Sequence, residues 1–336
     1  MKTQFTPSPC TRVTACATFL FAAVSSTTLL AEDRTPAAST QWTAESDSLS
    51  LAVDGQTLWK FNYGPDLHKP FFHPLAPAGG PTLTWNQPSD HAWHHGLWFS
   101  WKYINKVNYW EINRRTGRPD GRTSWSDVET QTRDDGSATI SLKVAYGPAT
   151  SDESALVEKR RIEMGAIEAD GSYAIDWQAE FEAQTDVKLD RSPPQPGASG
   201  GYAGLSIRFA QDFQDRQGIR LEGPVAFDSG DRFRGPSAAF EYNGLLGGVA
   251  AGVAILDGPQ NVRHPTPWYL IARPDISYIN AALLNDAPLE MKRGERLALH
   301  YRIVVHNGCW DAARLKDASL QFSQTSDQTS SQSTND

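Results

Sequence analysis

Asp-Gly pairs set between runs whose apolar residues fall at every second position constrain this chain more than any other feature. Leu49, Leu51 and Val53 lead to Asp54-Gly55, after which Thr57, Trp59, Phe61 and Tyr63 lead away. Asp135-Gly136 follows the run from Val128 to Arg133 and precedes Ala138, Ile140, Leu142, Val144 and Tyr146, and Asp170-Gly171 precedes Tyr173, Ile175, Trp177, Ala179 and Phe181. A period of two places alternate side chains on opposite faces of a strand, and Asp-Gly supplies the left-handed backbone of a two-residue hairpin turn. Further alternating runs cover Ala203 to Phe209, Gly248 to Leu256 and Leu297 to Val305, against one weak helical stretch near Asp311 to Phe322. The pattern predicts an all-β fold, a large antiparallel β-sandwich. No repeat of fixed period is visible, which disfavours a propeller.

The ends differ in character from this body. Residues 1–31 carry Lys2 and Arg12, an apolar run from about Val13 to Val24, and Leu29-Leu30-Ala31 before Glu32, the pattern of a secretory signal peptide. That apolar run is shorter than a membrane span, so the expectation is a periplasmic or secreted protein. From Ser323 to Asp336 the residues are Ser, Thr, Gln, Asn and Asp only, which predicts a disordered tail. Between them, 32–322 reads as a single domain, with the Pro-rich segment 192–197 as an internal loop. Oligomeric state is left open.

Charge narrows the partners. The whole chain has 31 Lys+Arg against 39 Asp+Glu, a net of -8. Removing Lys2 and Arg12 takes the net to -10, and no basic run remains to hold nucleic acid. The same cut removes Cys10 and Cys16, leaving Cys309 beside Trp310 as a lone packing cysteine.

Chemistry concentrates between Lys69 and Glu111. Five of the eight His lie between positions 68 and 95, and Trp85, Trp93, Trp98, Trp101, Trp110 and Trp125 fall in or beside that stretch. Imidazole titrates near neutral pH and is the commonest metal ligand. If His94 begins a strand, His94, Gly96, Trp98 and Ser100 face one side, while His95, Leu97, Phe99 and Trp101 face the other. Three readings follow. His73, His91 and His94, with Asp90 or Glu111, form a divalent metal site; or His91 and His94 act as acid and base on a sugar beside Glu111 or Asp90, with Trp98 and Trp110 stacking on the ring; or these His cap turns. No cofactor is required by the second reading, which leads.

Elsewhere, the strand from Tyr202 to Phe209 turns Tyr202, Gly204, Ser206 and Arg208 toward the same cleft, where a guanidinium could bind a carboxylate or hydroxyl. His264, extended by Pro265, completes the set as an orienting group. His300 and His306 read as solvated strand residues, and Arg160 and Arg161 beside Glu158 and Glu163 as an exposed charged strand.

The runs Phe72-His73-Pro74-Leu75 with Gly80, Asp90-His91 with His94-His95-Gly96-Leu97-Trp98-Phe99, Gly200 to Arg208, His264-Pro265 with Pro267-Trp268, and Gly294-Glu295 with Leu297, Leu299, Tyr301 and Arg302 resemble the bacterial family DUF6807, over roughly residues 45 to 310. Its members are often labelled "PmoA family", after a methane monooxygenase subunit. Such a subunit would be a helical membrane protein, which this sequence does not encode. The resemblance implies an exported β protein with a fold similar to galactose-mutarotase-like supersandwiches. That wider group binds sugars on a concave sheet face with His, Arg and carboxylates, so the leading expectation is an exported sugar-modifying enzyme of epimerase, lyase or hydrolase type. The alternatives are a non-catalytic carbohydrate-binding protein and a His-ligated metalloenzyme. No catalytic residue is carried over from the family.

Overall fold

A computed structural model describes residues 39–195 and 198–332. Residues 1–38, with the expected signal peptide, 196–197 and 333–336 lie outside the described residues. Two nine-stranded antiparallel sheets dominate. The first runs, in spatial order, Thr40–Glu45, Ser48–Val53, Gln56–Asn62, Phe71–Leu75, Leu97–Ser100, Gly204–Arg208, Ile276–Ala281, Pro267–Arg273 and Arg232–Pro236. At the heart of the second lie Val249–Asp257, Arg296–Asn307, Tyr173–Ala183 and Leu156–Met164. Asp54-Gly55, Asp135-Gly136 and Asp170-Gly171 each close a hairpin, and the three glycines have φ of 81°, 81° and 80°.

The inner faces of the two sheets meet in one core. Phe72 of the first sheet packs edge-on against Trp177 of the second at 6.3 Å, and Phe99 packs on Phe181 at 5.5 Å. Trp101 belongs to this core, as its side of the alternation requires. Burying a large apolar side chain here contributes ~1.5–3 kcal/mol. Tyr173 and Tyr242 reach across to donate hydrogen bonds to Ala76 O and Ile271 O, so the sheets are pinned by polar contacts as well.

Two expectations are corrected by this packing. Glu158 and Arg160 face inward, paired at 2.5 Å with Tyr146 and Trp177 beside them, because their alternation matches that of Leu156 and Ile162. His306 is buried against Glu241 at 3.0 Å and stacks on Trp310. Both pairs escape a polarity reading because each buried polar group is matched by a partner, on the same strand for Glu158 and Arg160 and two strands away for His306 and Glu241.

The C-terminal helix spans Ala312–Gln332 and lies on the outer face of the second sheet, where Leu315 and Phe322 meet Ile219, Ala254 and Leu256. It continues beyond Ser323, where the sequence predicts a disordered tail. There the Ser323, Thr325 and Ser326 hydroxyls donate to carbonyls four residues back, a local satisfaction that composition does not reveal.

Candidate functional site

The outer face of the first sheet carries a second aromatic cluster. Antiparallel register aligns Phe71, Trp98, Ser206, Asn280 and Tyr269 in one row across five strands. The next row holds Arg208, Tyr278 and Ile271. Directly paired residues point to the same face, so these side chains form a floor. Leu67, Trp93, Trp110 and Tyr202 from the connecting loops cover it. Between floor and cover lies a cavity of ≈ 100 Å³ reached by His91, Trp93, His94, Trp110, Glu111, Tyr202, Tyr269 and Tyr278.

Residues 91–96 precede the strand Leu97–Ser100 as a turn, so strand alternation does not apply to them. His94 and His95 consequently lie on the same side of the sheet. His94 stacks between Tyr278 at 5.2 Å and His91 at 4.6 Å. His95, expected beside Leu97 and Phe99, instead stacks on Phe71 at 4.3 Å and pairs with Asn86 Oδ1 at 2.7 Å. Gly96 permits this approach, since a Cβ there would collide with the Phe72 carbonyl. Burial drives both imidazoles well below their usual pKa, and neighbouring positive charges add to the effect, so both rings are neutral at pH 7. His94 Nδ1 has no hydrogen-bond partner.

His91 has a different setting. Its ring remains about one-third exposed, with Nδ1 2.8 Å from Asp90 Oδ2. A carboxylate at Nδ1 fixes the proton there in the neutral ring and leaves Nε2 as the basic nitrogen. Asp90 is held in turn by Arg208 Nη2, at 3.1 and 3.0 Å from its two oxygens. Burial alone would raise the Asp90 carboxyl, but the His91 hydrogen bond and the Arg208 charge outweigh it and hold the pKa below the ordinary value.

Arg208 stands on the expected face but is wholly buried, and its Nη2 is occupied by Asp90 and Asp275 O. The guanidinium therefore organises Asp90 and is not presented to a ligand. Trp98 is likewise completely buried, whereas Trp110 reaches the cavity wall with only 1% of its surface exposed. Trp93, which the alternation pattern does not mark, is the partly exposed indole at the cavity.

Glu111 enters from the opposite wall. Tyr202 OH donates to its Oε1 at 2.9 Å, Asn108 Nδ2 donates to Oε2 at 2.6 Å, and the buried Lys102 ammonium also binds Oε2. Asn108 Oδ1 accepts the amides of Trp110 and Glu111, which fixes the turn that aims the carboxylate. Burial would raise the Glu111 pKa; Lys102 and the donated hydrogen bonds overcome this and lower it. Glu111 is thus an ionised acceptor at neutral pH.

Other expected members lie elsewhere. His73 Nδ1 pairs with Thr84 Oγ1 at 2.9 Å. His264 pairs with Asp257 Oδ2 at 2.8 Å and does not line the cavity. Among the described residues no group of three or more His, Cys, Asp or Glu side chains is placed to hold a metal ion, so His73, His91, His94 and Asp90 do not converge as ligands. Lys69 and Lys102, singled out by no sequence motif, lie behind the site. Lys69 is buried, donates to Trp110 O at 3.2 Å, and is brought down to about 7 chiefly by burial, with Glu111 opposing and Lys102 assisting.

The model of a family described as of unknown function, DUF6807, matches residues 48–319. The chain belongs to the DUF6807 family. That match covers every strand of the two sheets except Thr40–Glu45, and every residue of the cavity. No functionally curated protein matches the chain. Solved structures with a similar arrangement include a galactose mutarotase related enzyme from Lactobacillus acidophilus, 7% identical, with 81% of this chain and 99% of that one covered and a TM-score of 0.39. A protein of Klebsiella pneumoniae provisionally described as an aldose 1-epimerase is 8% identical, with 86% and 87% covered and a TM-score of 0.38. The α-galactosidase AgaA of Geobacillus stearothermophilus, in complex with raffinose, is 9% identical with a TM-score of 0.38; the match covers 81% of this chain and 41% of that one. Likeness at this level assigns neither a residue role nor an activity to this family member. No helix among the described residues is long and apolar enough to cross a membrane.

Proposed function

We propose that this protein is an exported carbohydrate-active enzyme and that the cavity on the outer face of the first sheet is its sugar site. The observation that carries this reading is the convergence of two differently prepared polar groups on one aromatic-walled cavity. His91, steadied by Asp90, offers a basic nitrogen, and Glu111 offers an ionised oxygen, with Trp93, Trp110 and Tyr278 around them. A concave, mostly apolar site with a few directed polar groups suits a ring that has one apolar face and a rim of hydroxyls.

In this reading His91 Nε2 takes the proton of a sugar hydroxyl and, as the imidazolium, delivers it to a ring or glycosidic oxygen. Nδ1 keeps its own proton on Asp90, whose negative charge stabilises the imidazolium. Glu111, kept ionised by Lys102, accepts hydrogen bonds from sugar hydroxyls, and Tyr202 fixes the angle at which it does so. His94 stays neutral and acts as a wall and hydrogen-bonding group. Epimerisation, elimination and hydrolysis all use such a proton transfer.

A non-catalytic sugar-binding role has one observation in its favour: Glu111 and His94 are held in single protonation states, which recognition needs and proton transfer does not. Titration calorimetry and product analysis with a panel of mono- and oligosaccharides separate the two. The enzyme reading expects His91→Ala to abolish turnover while affinity changes only a few-fold. Absence of any sugar binding at millimolar concentration would overturn both readings, and binding without turnover in the unaltered protein would leave the binding role.

A further inference from the structure

We infer that the groove beside the sugar cavity, between the loop carrying Tyr63 to His68 and the strand beginning at Gly121, holds an anionic residue of a glycan, a uronate or sulfate ester. This rests on the carbohydrate reading above and names the class of glycan. Although acidic residues outnumber basic ones in the chain by 39 to 31, Arg114, Arg115, Arg118 and Arg122 fall within nine positions that contain Asp120 as their one acid. Tertiary structure turns two of these into a groove of ≈ 680 Å³, lined by Arg118, Arg122 and His68 with Tyr63 and Trp125 as aromatic wall.

The groove is built and positioned. Trp125 Nε1 donates to Tyr63 O at 2.8 Å, which fixes the indole and ties the two walls together. Arg122 Nη2 donates to Ser151 O at 2.9 Å, which steadies the guanidinium. Arg118 is held at its backbone by Asn113, whose amide donates to Arg118 O, and Asn113 Nδ2 also takes up Asp120 at 2.8 Å. The nearest acid in sequence is therefore bound by an asparagine, and among the described residues no carboxylate pairs with the Arg118 guanidinium. Arg122 also pairs at 3.8 Å with the exposed Asp152 at the rim, and among the lining residues the guanidiniums of Arg118 and Arg122 stand against one carboxylate, that of Asp66. The His68 imidazole is pushed down first by burial and then by Lys69 and Arg118, an independent sign that positive charge gathers here.

Guanidinium groups recognise carboxylate and sulfate oxygens through paired N–H donors, and a fixed indole offers a face for a sugar ring. His68 lines the groove, while its neighbour Lys69 supports Trp110 of the cavity, so one short segment forms the partition between the two. A chain of sugars seated in the cavity would place a neighbouring residue over that partition.

The test is titration calorimetry of the full chain with trigalacturonate, a sulfated galacto-oligosaccharide and carboxyl-reduced trigalacturonate, repeated with Arg118→Gln/Arg122→Gln. Expected is at least tenfold tighter binding of an acidic ligand than of the neutral one, a preference that weakens with salt and disappears in the double variant; which acidic ligand prevails identifies the anion. Equal affinity for acidic and neutral ligands, or an unchanged preference in the double variant, overturns the inference and leaves the carbohydrate reading standing. Loss of acidic-glycan binding in the double variant, with Tyr202→Phe and Glu111→Gln changing the affinity of no glycan, overturns the cavity as the sugar site instead. Absence of binding by all three ligands overturns both.

Discussion

His91 Nδ1 stands 2.8 Å from Asp90 Oδ2, and the same carboxylate is gripped from behind by the buried guanidinium of Arg208. Three residues that are distant or merely adjacent in sequence thus form one line of charge ending at the cavity. Asp90→Asn keeps the shape of this line and removes its negative charge. In the enzyme reading, Asp90 is a positioning residue, and the substitution lowers kcat by about 10²-fold with KM within a few-fold of the original. Steady-state kinetics with the best sugar of the panel checks this; an equal change in KM alone would point to a ligand-binding role.

Trp98 is a structural residue in this fold. It is completely buried and packs on Trp110 at 5.8 Å and Tyr278 at 6.1 Å. Trp98→Ala should lower the unfolding free energy by about 3–5 kcal/mol, as read from urea titration. A variant of unchanged stability with lost sugar affinity would instead assign Trp98 to ligand contact.

Acid should weaken the molecule through His94 and His95. Their folded pKa values lie well below 6.5, the unperturbed value, because burial disfavours the imidazolium. As pH falls below about 6.5, the unfolded chain takes up protons that the folded rings refuse, so stability declines. Urea midpoints at pH 7.5 and pH 5 should differ accordingly, and His95→Gln should reduce the difference.

Lys69 predicts a slope at the other end. Its amine is lowered from 10.5 to about 7, so between these values the unfolded lysine holds a proton that the folded one has released. Stability attributable to this group rises with pH across that window. Lys69→Met removes the slope and raises stability at pH 8 by up to about 3 kcal/mol, the cost of keeping uncharged at that pH an amine that titrates near 10.5 when unfolded. A destabilised variant at that pH would mean that the bond to Trp110 O outweighs burial of the amine.

The C-terminal helix covers an apolar patch of the second sheet. Phe322 is buried there and contacts the Arg302 guanidinium at 5.0 Å. Phe322→Ala should cost about 3 kcal/mol, and ending the chain after Trp310 should produce binding of a hydrophobic dye through exposed Ile219, Ala254 and Leu256. Calorimetry and dye fluorescence read these two effects.

The strand content and hairpins were legible in the sequence because alternation and Asp-Gly turns are local properties that each segment carries unaided. The same logic assigned Trp101 to the core and Arg208 to the outer face, since both stand in regular strands. It failed at His95, where a turn replaces the strand and the period of two lapses, and at Glu158, Arg160 and His306, where a matched partner makes burial of a polar group tolerable. Residue identity likewise marked the neighbourhood of the site through its five His and clustered Trp, but not the division of labour within it. That division depends on distances between segments far apart in the chain: Asp90 to Arg208, Glu111 to Tyr202, and His94 to Tyr278. Local sequence determined which strands form and which faces are apolar; only tertiary packing decided which polar groups lose water, which find a counter-charge, and therefore which remain free to act.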